Sequence, residues 1–134
     1  MLRDIAAILL LASTALCQAQ PEPEYAMTTY QVALLKRGPR WTAQSTPETQ
    51  KIQQGHMEHI GSMAKTGKLI LAGPFADDGG LRGMFVFKAT AEEARRLAER
   101  DPAVLSGRLA LEWHPWYSAE GIGITQKPKG EEKK

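Results

Sequence analysis

Residues 68–88 read Lys-Leu-Ile-Leu-Ala-Gly-Pro-Phe-Ala-Asp-Asp-Gly-Gly-Leu-Arg-Gly-Met-Phe-Val-Phe-Lys. Two short apolar runs, Lys68–Phe75 and Gly83–Lys88, stand on either side of Asp77-Asp78-Gly79-Gly80. Runs of this length, rich in aliphatic and aromatic residues and bounded by turn formers, read as strands, and the pair as a hairpin with a longer loop. What lies on each side of this hairpin decides the fold.

Upstream, Thr46-Pro47-Glu48 is a helix start: a hydroxyl at the N-cap, proline at the first helical position and an acid in the first turn. The helix is expected to reach about Lys65 and to stop at Gly67. Before it come a loop, Arg37–Ser45, that contains Trp41, and a strand over Tyr30–Leu35. Downstream, Thr90-Ala91-Glu92-Glu93 has the pattern of a capping box, in which the N-cap hydroxyl and the glutamate three residues on satisfy each other's backbone donors. The second helix is expected to reach about Arg100 with Ala94, Leu97 and Ala98 inward, and Asp101-Pro102 ends it. Arg108–Trp116 alternates, with Leu109, Leu111 and Trp113 on one face of a last strand. The order is β-α-β-β-α-β, the split arrangement of a ferredoxin-like α+β fold. Two helices cover one face of a four-stranded antiparallel sheet. The other face also carries apolar groups, so a second copy of the chain, in a homodimer, is expected to cover it.

The ends of the chain set its compartment. A short charged start, Met1-Leu2-Arg3-Asp4, precedes an apolar run from Ile5 to Leu16 and then Cys17-Gln18-Ala19. Small residues before a cut after Ala19 complete a signal-peptide layout. The run is short for a permanent span, so no membrane span is expected. Residues 1–19 read as leader, 20–28 as a linker through Pro21-Glu22-Pro23-Glu24, 29–124 as the domain and 125–134 as a disordered tail. The protein is expected to be secreted or periplasmic. A lipid-anchored form through Cys17 is disfavoured by Leu16, which is large where such signals carry a small residue. Cys17 is the one cysteine, so a mature chain cut after Ala19 has no thiolate for catalysis or metal. The formal charge is +2, and the tail's four lysines against two glutamates account for all of it. A balanced domain argues against nucleic acid as a partner.

Within the first helix, taking Ile52 as the origin, the apolar arc centres at about 70°, with His56 at about 40° and His59 at about −20° on its edge. His56 therefore points inward and needs a hydrogen-bond partner, while His59 is expected to be more solvated. An inward histidine fits either a functional group or a core histidine bonded to backbone. Spaced three apart, His56 and His59 could share a metal, but no third ligand is placed by the sequence, and neither a metal nor another cofactor is expected. Two acids could fix a histidine's tautomer: Asp101, which could equally cap a short turn begun by Pro102, and Asp78, which could equally serve the turn it occupies. Gly73-Pro74, followed by Phe75, bends the chain and lets a ligand approach the backbone. Trp41 and Trp116 suit a pocket or an interface, and Trp113 the core.

Taken together, His56, Ala72-Gly73-Pro74, Gly83, Ala94, Asp101-Pro102, Gly107 and Pro115 resemble the YciI-like (YCII-related) family. Gly38-Pro39-Arg40-Trp41, Asp77-Asp78-Gly79, Leu81-Arg82-Gly83 and His114-Pro115-Trp116-Tyr117 resemble a closer subgroup within it. The resemblance covers about Tyr30 to Gly123. It implies a dimeric α/β-barrel type of assembly and a polar site built on a histidine and an aspartate. The family histidine falls on His56, the residue that the helical periodicity also selects, and the aspartate on Asp101, with Asp78 as second choice. Activities known in the family include a dehydrochlorination, so the resemblance implies a small-molecule site. The expected function is elimination or isomerisation by a general base without cofactor, with His56, Asp101 and Asp78 as catalytic candidates. Trp41, Gly73, Pro74 and Phe75 are the candidates for ligand binding. The alternative is a non-catalytic ligand-binding or interaction module of the cell envelope.

Overall fold

The computed structural model describes residue 21 and residues 24–123. The expected leader, Cys17 and the basic tail lie outside the described residues. The elements in chain order are β1 (Met27–Arg37), α1 (Pro47–Lys65), β2 (Leu69–Pro74), β3 (Leu81–Phe87), α2 (Ala91–Ala98), α3 (Pro102–Leu105) and β4 (Leu109–Ala119). The strands form one sheet in the order β2-β3-β1-β4, and every neighbouring pair is antiparallel. This is the ferredoxin-like order that the sequence predicts, with the hairpin of β2 and β3 at one edge.

Two elements run further than their apolar signal. β1 and β4 pair from Met27 opposite Ala119 to Arg37 opposite Leu109, beyond Tyr30–Leu35 and beyond Trp116. The extra rungs carry polar residues such as Thr28, Thr29 and Ser118, so backbone hydrogen bonds rather than side-chain alternation extend the ladder. The second helix, by contrast, is shorter than expected. α2 closes at Ala98, and Asp101 caps a separate turn, α3.

The caps behave as their chemistry requires. Thr46 accepts from the Thr49 backbone N–H, and Thr90 from that of Glu93; both are reciprocal capping boxes. Gly67 follows α1 at a φ of 74°, the left-handed conformation that glycine adopts at helix ends. Lys68, just before β2, pairs with Glu93 of α2. The hydrogen bond from Lys68, helped by the Thr90 backbone, holds the Glu93 carboxyl below its ordinary range. On β4, hydrogen bonds from Lys36 and then His114 do the same for Glu112.

The core lies between the sheet and the helices. Ala33, Leu35, Phe85, Phe87 and Leu109 from the strands meet Met63 of α1, Ala94 and Ala98 of α2 and Ala103 of α3. Phe85 and Phe87 pack edge to face, 6.1 Å apart at 84°, and each is almost wholly buried, a gain of roughly 1.5–3 kcal/mol per ring. Alanines on α2 and α3 let those helices lie close to the rings. Leu97, Leu111 and Trp113 pack at the rim of the core, Leu97 as expected for the inward side of the second helix and the other two as the strand alternation predicts.

Among the described residues, no helix covers the opposite face of the sheet. The strand register groups Val32 with Val86, Leu34 with Met84 and Tyr30 with Trp116 on it. Tyr30 is fully buried there: its hydroxyl donates to the Ala119 carbonyl at 3.0 Å, and its ring lies 5.8 Å from Trp116. Among the described residues, no helix is long and apolar enough to cross a membrane.

Candidate functional site

His56 sits in the middle of α1 on its buried face. With Met63 it forms the buried stripe of the helix, flanked by Ile52 and Ile60, which pack against the core. That stripe is turned toward His56 relative to the arc drawn from the sequence. Met57, part of that arc, is 56% exposed and lines a cavity instead. His59 differs from its expected solvated position. It is half-buried, and its Nε2–H donates to the Leu97 carbonyl at 2.7 Å, which ties α1 to α2.

The partner of His56 is Asp101. Nδ1 of His56 and Oδ2 of Asp101 are 2.7 Å apart. The other carboxylate oxygen, Oδ1, accepts the Ala103 backbone N–H at 2.8 Å and so caps α3. The two sequence readings of Asp101, as a cap and as a histidine's partner, are both correct, one for each oxygen. Asp101 is 0% exposed and His56 8%, which makes them the two buried polar residues of the described chain. Burial of this kind is tolerated when each polar atom is paired, and no buried side-chain nitrogen or oxygen among the described residues lacks a partner.

Local packing brings the pair together. A Cβ added at Gly55 would lie 3.1 Å from Pro102 Cγ, so the glycine next to His56 lets α3 settle against α1. Phe85 supports the imidazole from below, its ring stacked 6.2 Å away at 29°. A carboxylate only accepts hydrogen bonds, so facing one assigns the proton to Nδ1 and leaves the Nε2 lone pair free in the neutral ring. Nε2 has no hydrogen-bond partner among the described residues, yet it is not a buried orphan. It therefore opens onto accessible space.

That space is a cavity of about 710 Å³ between α1, the sheet and the loop after β1. Small-molecule sites commonly span roughly 300–1,000 Å³. Leu35, Met57, Ile60 and Phe85 supply apolar walls, and His56, Trp41, Gly73, Pro74, Arg82 and Arg108 complete it. Three of the four expected ligand-binding residues, Trp41, Gly73 and Pro74, thus line the cavity. Phe75 does not; its backbone N–H instead bonds the Arg82 carbonyl at 3.0 Å.

Asp78 is not brought to His56. It lies in the turn between β2 and β3, where its carbonyl accepts from Arg37 Nη2 at 3.0 Å. Asp77 braces the same turn by accepting the Gly79 N–H at 3.3 Å. Gly79 and Gly80 have no positive φ, so this turn does not use the left-handed backbone that glycine permits. Trp116 lies on the helix-free face beside Tyr30, away from the cavity. Among the described residues, no group of three or more His, Cys, Asp or Glu is placed to hold a metal.

A feature without any expected role surrounds Trp41. The guanidinium carbons of Arg37, Arg82 and Arg108 lie 5.4, 5.1 and 4.5 Å from its ring centroid. Such cation–π contacts hold a guanidinium over a ring at about 0.5–1 kcal/mol when exposed and more when desolvated. Arg82 and Trp41 both belong to motifs that mark the family subgroup, which was the available signal. Arg108 had none, because it converges on Trp41 only through the return of β4.

The sequence matches the family model of the YCII-related domain over residues 24–112. No curated protein matches it. Eight chains of solved structures do. One is a 5-chloro-2-hydroxyhydroquinone dehydrochlorinase from Burkholderia phenoliruptrix, solved with 2,5-dihydroxybenzoquinone, at 16% identity and a TM-score of 0.46, covering 66% of this chain and 93% of that one. The family model spans most of the sheet and all of the helices, including His56 and Asp101: the chain belongs to the YCII-related domain family.

Proposed function

We propose that the cavity is a small-molecule active site in which Nε2 of His56 acts as a general base and Asp101 is its positioning residue. The observation that supports this reading is the buried Nδ1···Oδ2 contact of 2.7 Å together with the place of His56 in the cavity lining. The carboxylate fixes the tautomer and orients the ring; it also stabilises the imidazolium formed when Nε2 takes a proton. Proton abstraction from carbon, followed by loss of a leaving group or return of the proton at another carbon, gives elimination or isomerisation without a cofactor. The apolar walls favour this chemistry, since excluding water strengthens electrostatic interactions with the developing charge.

The helix-free face is part of the proposal as a homodimer contact. Its aliphatic stripe of Val32, Leu34, Met84 and Val86 is continuous across two strands, and apolar sheet faces of this kind are commonly covered by another copy. Export is proposed from the leader-like segment alone.

The test is a paired screen of the protein and its His56→Gln variant against small aromatic and acidic metabolites in D2O. Proton NMR reads deuterium incorporation at carbon or loss of a substituent. A compound that exchanges or eliminates with wild type and not with the folded variant supports the general base. A compound turned over equally by both refutes it. Ligand binding by wild type without exchange or turnover for any compound favours the non-catalytic binding module.

A further inference from the structure

The cavity's polar lining is one-sided. Arg82 and Arg108 carry its fixed charges, and among the described residues no aspartate or glutamate lines it. The one carboxylate bonded to this group, Asp101, stands behind the imidazole with no exposure. Neither arginine is spent on an ion pair. Among the described residues, no carboxylate lies within ion-pair distance of Arg37, Arg82 or Arg108. Their observed partners are backbone carbonyls: Arg82 Nη1 donates to Asp77 and Gly79 at 3.3 Å, and Arg108 Nη1 to Thr42 at 2.8 Å. Each guanidinium has five N–H donors, so both keep donors free.

Three like charges gathered around a single indole repel one another. Their convergence is held by Trp41, by those carbonyls and by the β2–β3 turn, so the cations are fixed before any ligand arrives. Fixed guanidinium forks beside an apolar cavity are suited to a planar oxyanion, which they bind through paired, charge-assisted hydrogen bonds.

We infer that the cavity takes a small organic acid, with its carboxylate on Arg82 and Arg108 and an apolar body against Met57, Ile60 and Phe85, within reach of His56. This rests on the reading of the cavity as the active site and narrows its substrate class. Arg82 and Arg108 are binding residues in it. Arg37, exposed and outside the cavity lining, adds positive potential at the rim.

The experiment compares acids with their uncharged isosteres at fixed ionic strength: benzoate with benzamide, phenylacetate with phenylacetamide and hexanoate with hexanamide. Ligand-observed NMR titration gives Kd for wild type, Arg82→Gln, Arg108→Gln and His56→Gln. At least one acid should bind about ten-fold tighter than its amide, as expected when a charge-assisted pair replaces a neutral one. Arg82→Gln should remove that preference and leave the amide unchanged. Arg82 is the decisive variant because its bonds to the turn are exposed and 3.3 Å long, whereas Arg108 ties the loop at Thr42 through a shorter, partly buried bond of 2.8 Å. His56→Gln should keep the acid preference, which separates this inference from the general base. Acids that bind no tighter than amides, acids whose preference survives Arg82→Gln, or no binding by any acid at millimolar concentration would each overturn the inference. None of these outcomes would touch the proton-transfer role of His56, which the deuterium-exchange screen tests separately.

Discussion

Replacing Asp101 by alanine and by asparagine separates its two tasks. In Asp101→Ala both oxygens are lost. The α3 cap costs about 0.5–2 kcal/mol. A buried His56 Nδ1–H without an acceptor costs about 1–3 kcal/mol more. The sum is about 1.5–5 kcal/mol, a large part of the roughly 5–15 kcal/mol that holds a domain of this size together. In Asp101→Asn the side-chain oxygen still accepts the Ala103 N–H, now at 2.8 Å from the carboxylate, and asparagine is an equally good cap. Its NH2 group replaces Oδ2 and faces Nδ1. The ring must then accept at Nδ1 and carry its proton on Nε2. A neutral hydrogen bond takes the place of a charge-assisted one, for a loss of about 1 kcal/mol. Urea denaturation at neutral pH, with m-values checked for constancy, measures both losses. Two-dimensional proton–nitrogen NMR of the imidazole reports which nitrogen is protonated. Asparagine should therefore be mild for stability and severe for function, because Nε2 becomes a donor where a base is needed. Equal destabilisation by the two substitutions would refute the division of labour between Oδ1 and Oδ2, and an unchanged tautomer in Asp101→Asn would refute the positioning role.

Three further outcomes follow from the geometry. A Cβ at Gly83 would lie 2.5 Å from the Gly73 carbonyl oxygen, so Gly83→Ala should cost about 1–3 kcal/mol as β2 and β3 are forced apart; a urea midpoint equal to wild type would show that the hairpin yields freely. Leu34→Glu places a charge in the middle of the helix-free face, opposite Met84 and Glu112, and sedimentation velocity should show a wild-type dimer and a variant monomer. A wild-type protein that sediments as a monomer at all concentrations would remove the dimer from the proposal. Glu93 has a lowered carboxyl ionisation in the folded state, caused first by the hydrogen bond from Lys68. A depressed acid stabilises the fold above its unfolded pKa, and that contribution is lost as pH falls through the folded value. Lys68→Gln should accordingly flatten this part of the acid limb of stability against pH, and superimposable acid limbs would show that this partly exposed pair contributes nothing measurable.

Most of the secondary structure could be read from local chemistry. Thr46-Pro47 and Thr90 with Glu93 mark helix starts because a hydroxyl beside free N–H groups acts over one turn, whatever the rest of the chain does. The inward placement of His56 was equally legible, since helical periodicity is a local property. Where the reading missed, the cause was interaction across the sheet or between helices. β1 and β4 extend because their backbones pair. α2 stops early because Asp101 is drawn to His56 and starts α3. His59 is less solvated than its wheel position suggests because the end of α2 offers it a carbonyl.

By itself, then, the sequence determined the β-α-β-β-α-β order, the caps, the balanced charge of the domain and a histidine on an inward face. All of these are set by residues a few positions apart. Only the tertiary structure decided between Asp101 and Asp78, because the partner of His56 lies 45 residues away and is chosen by how α3 packs on α1. The same holds for the three guanidinium groups around Trp41. They arrive from β1, β3 and the residue just before β4, and side chains from separate strands meet only once strand order and register are fixed.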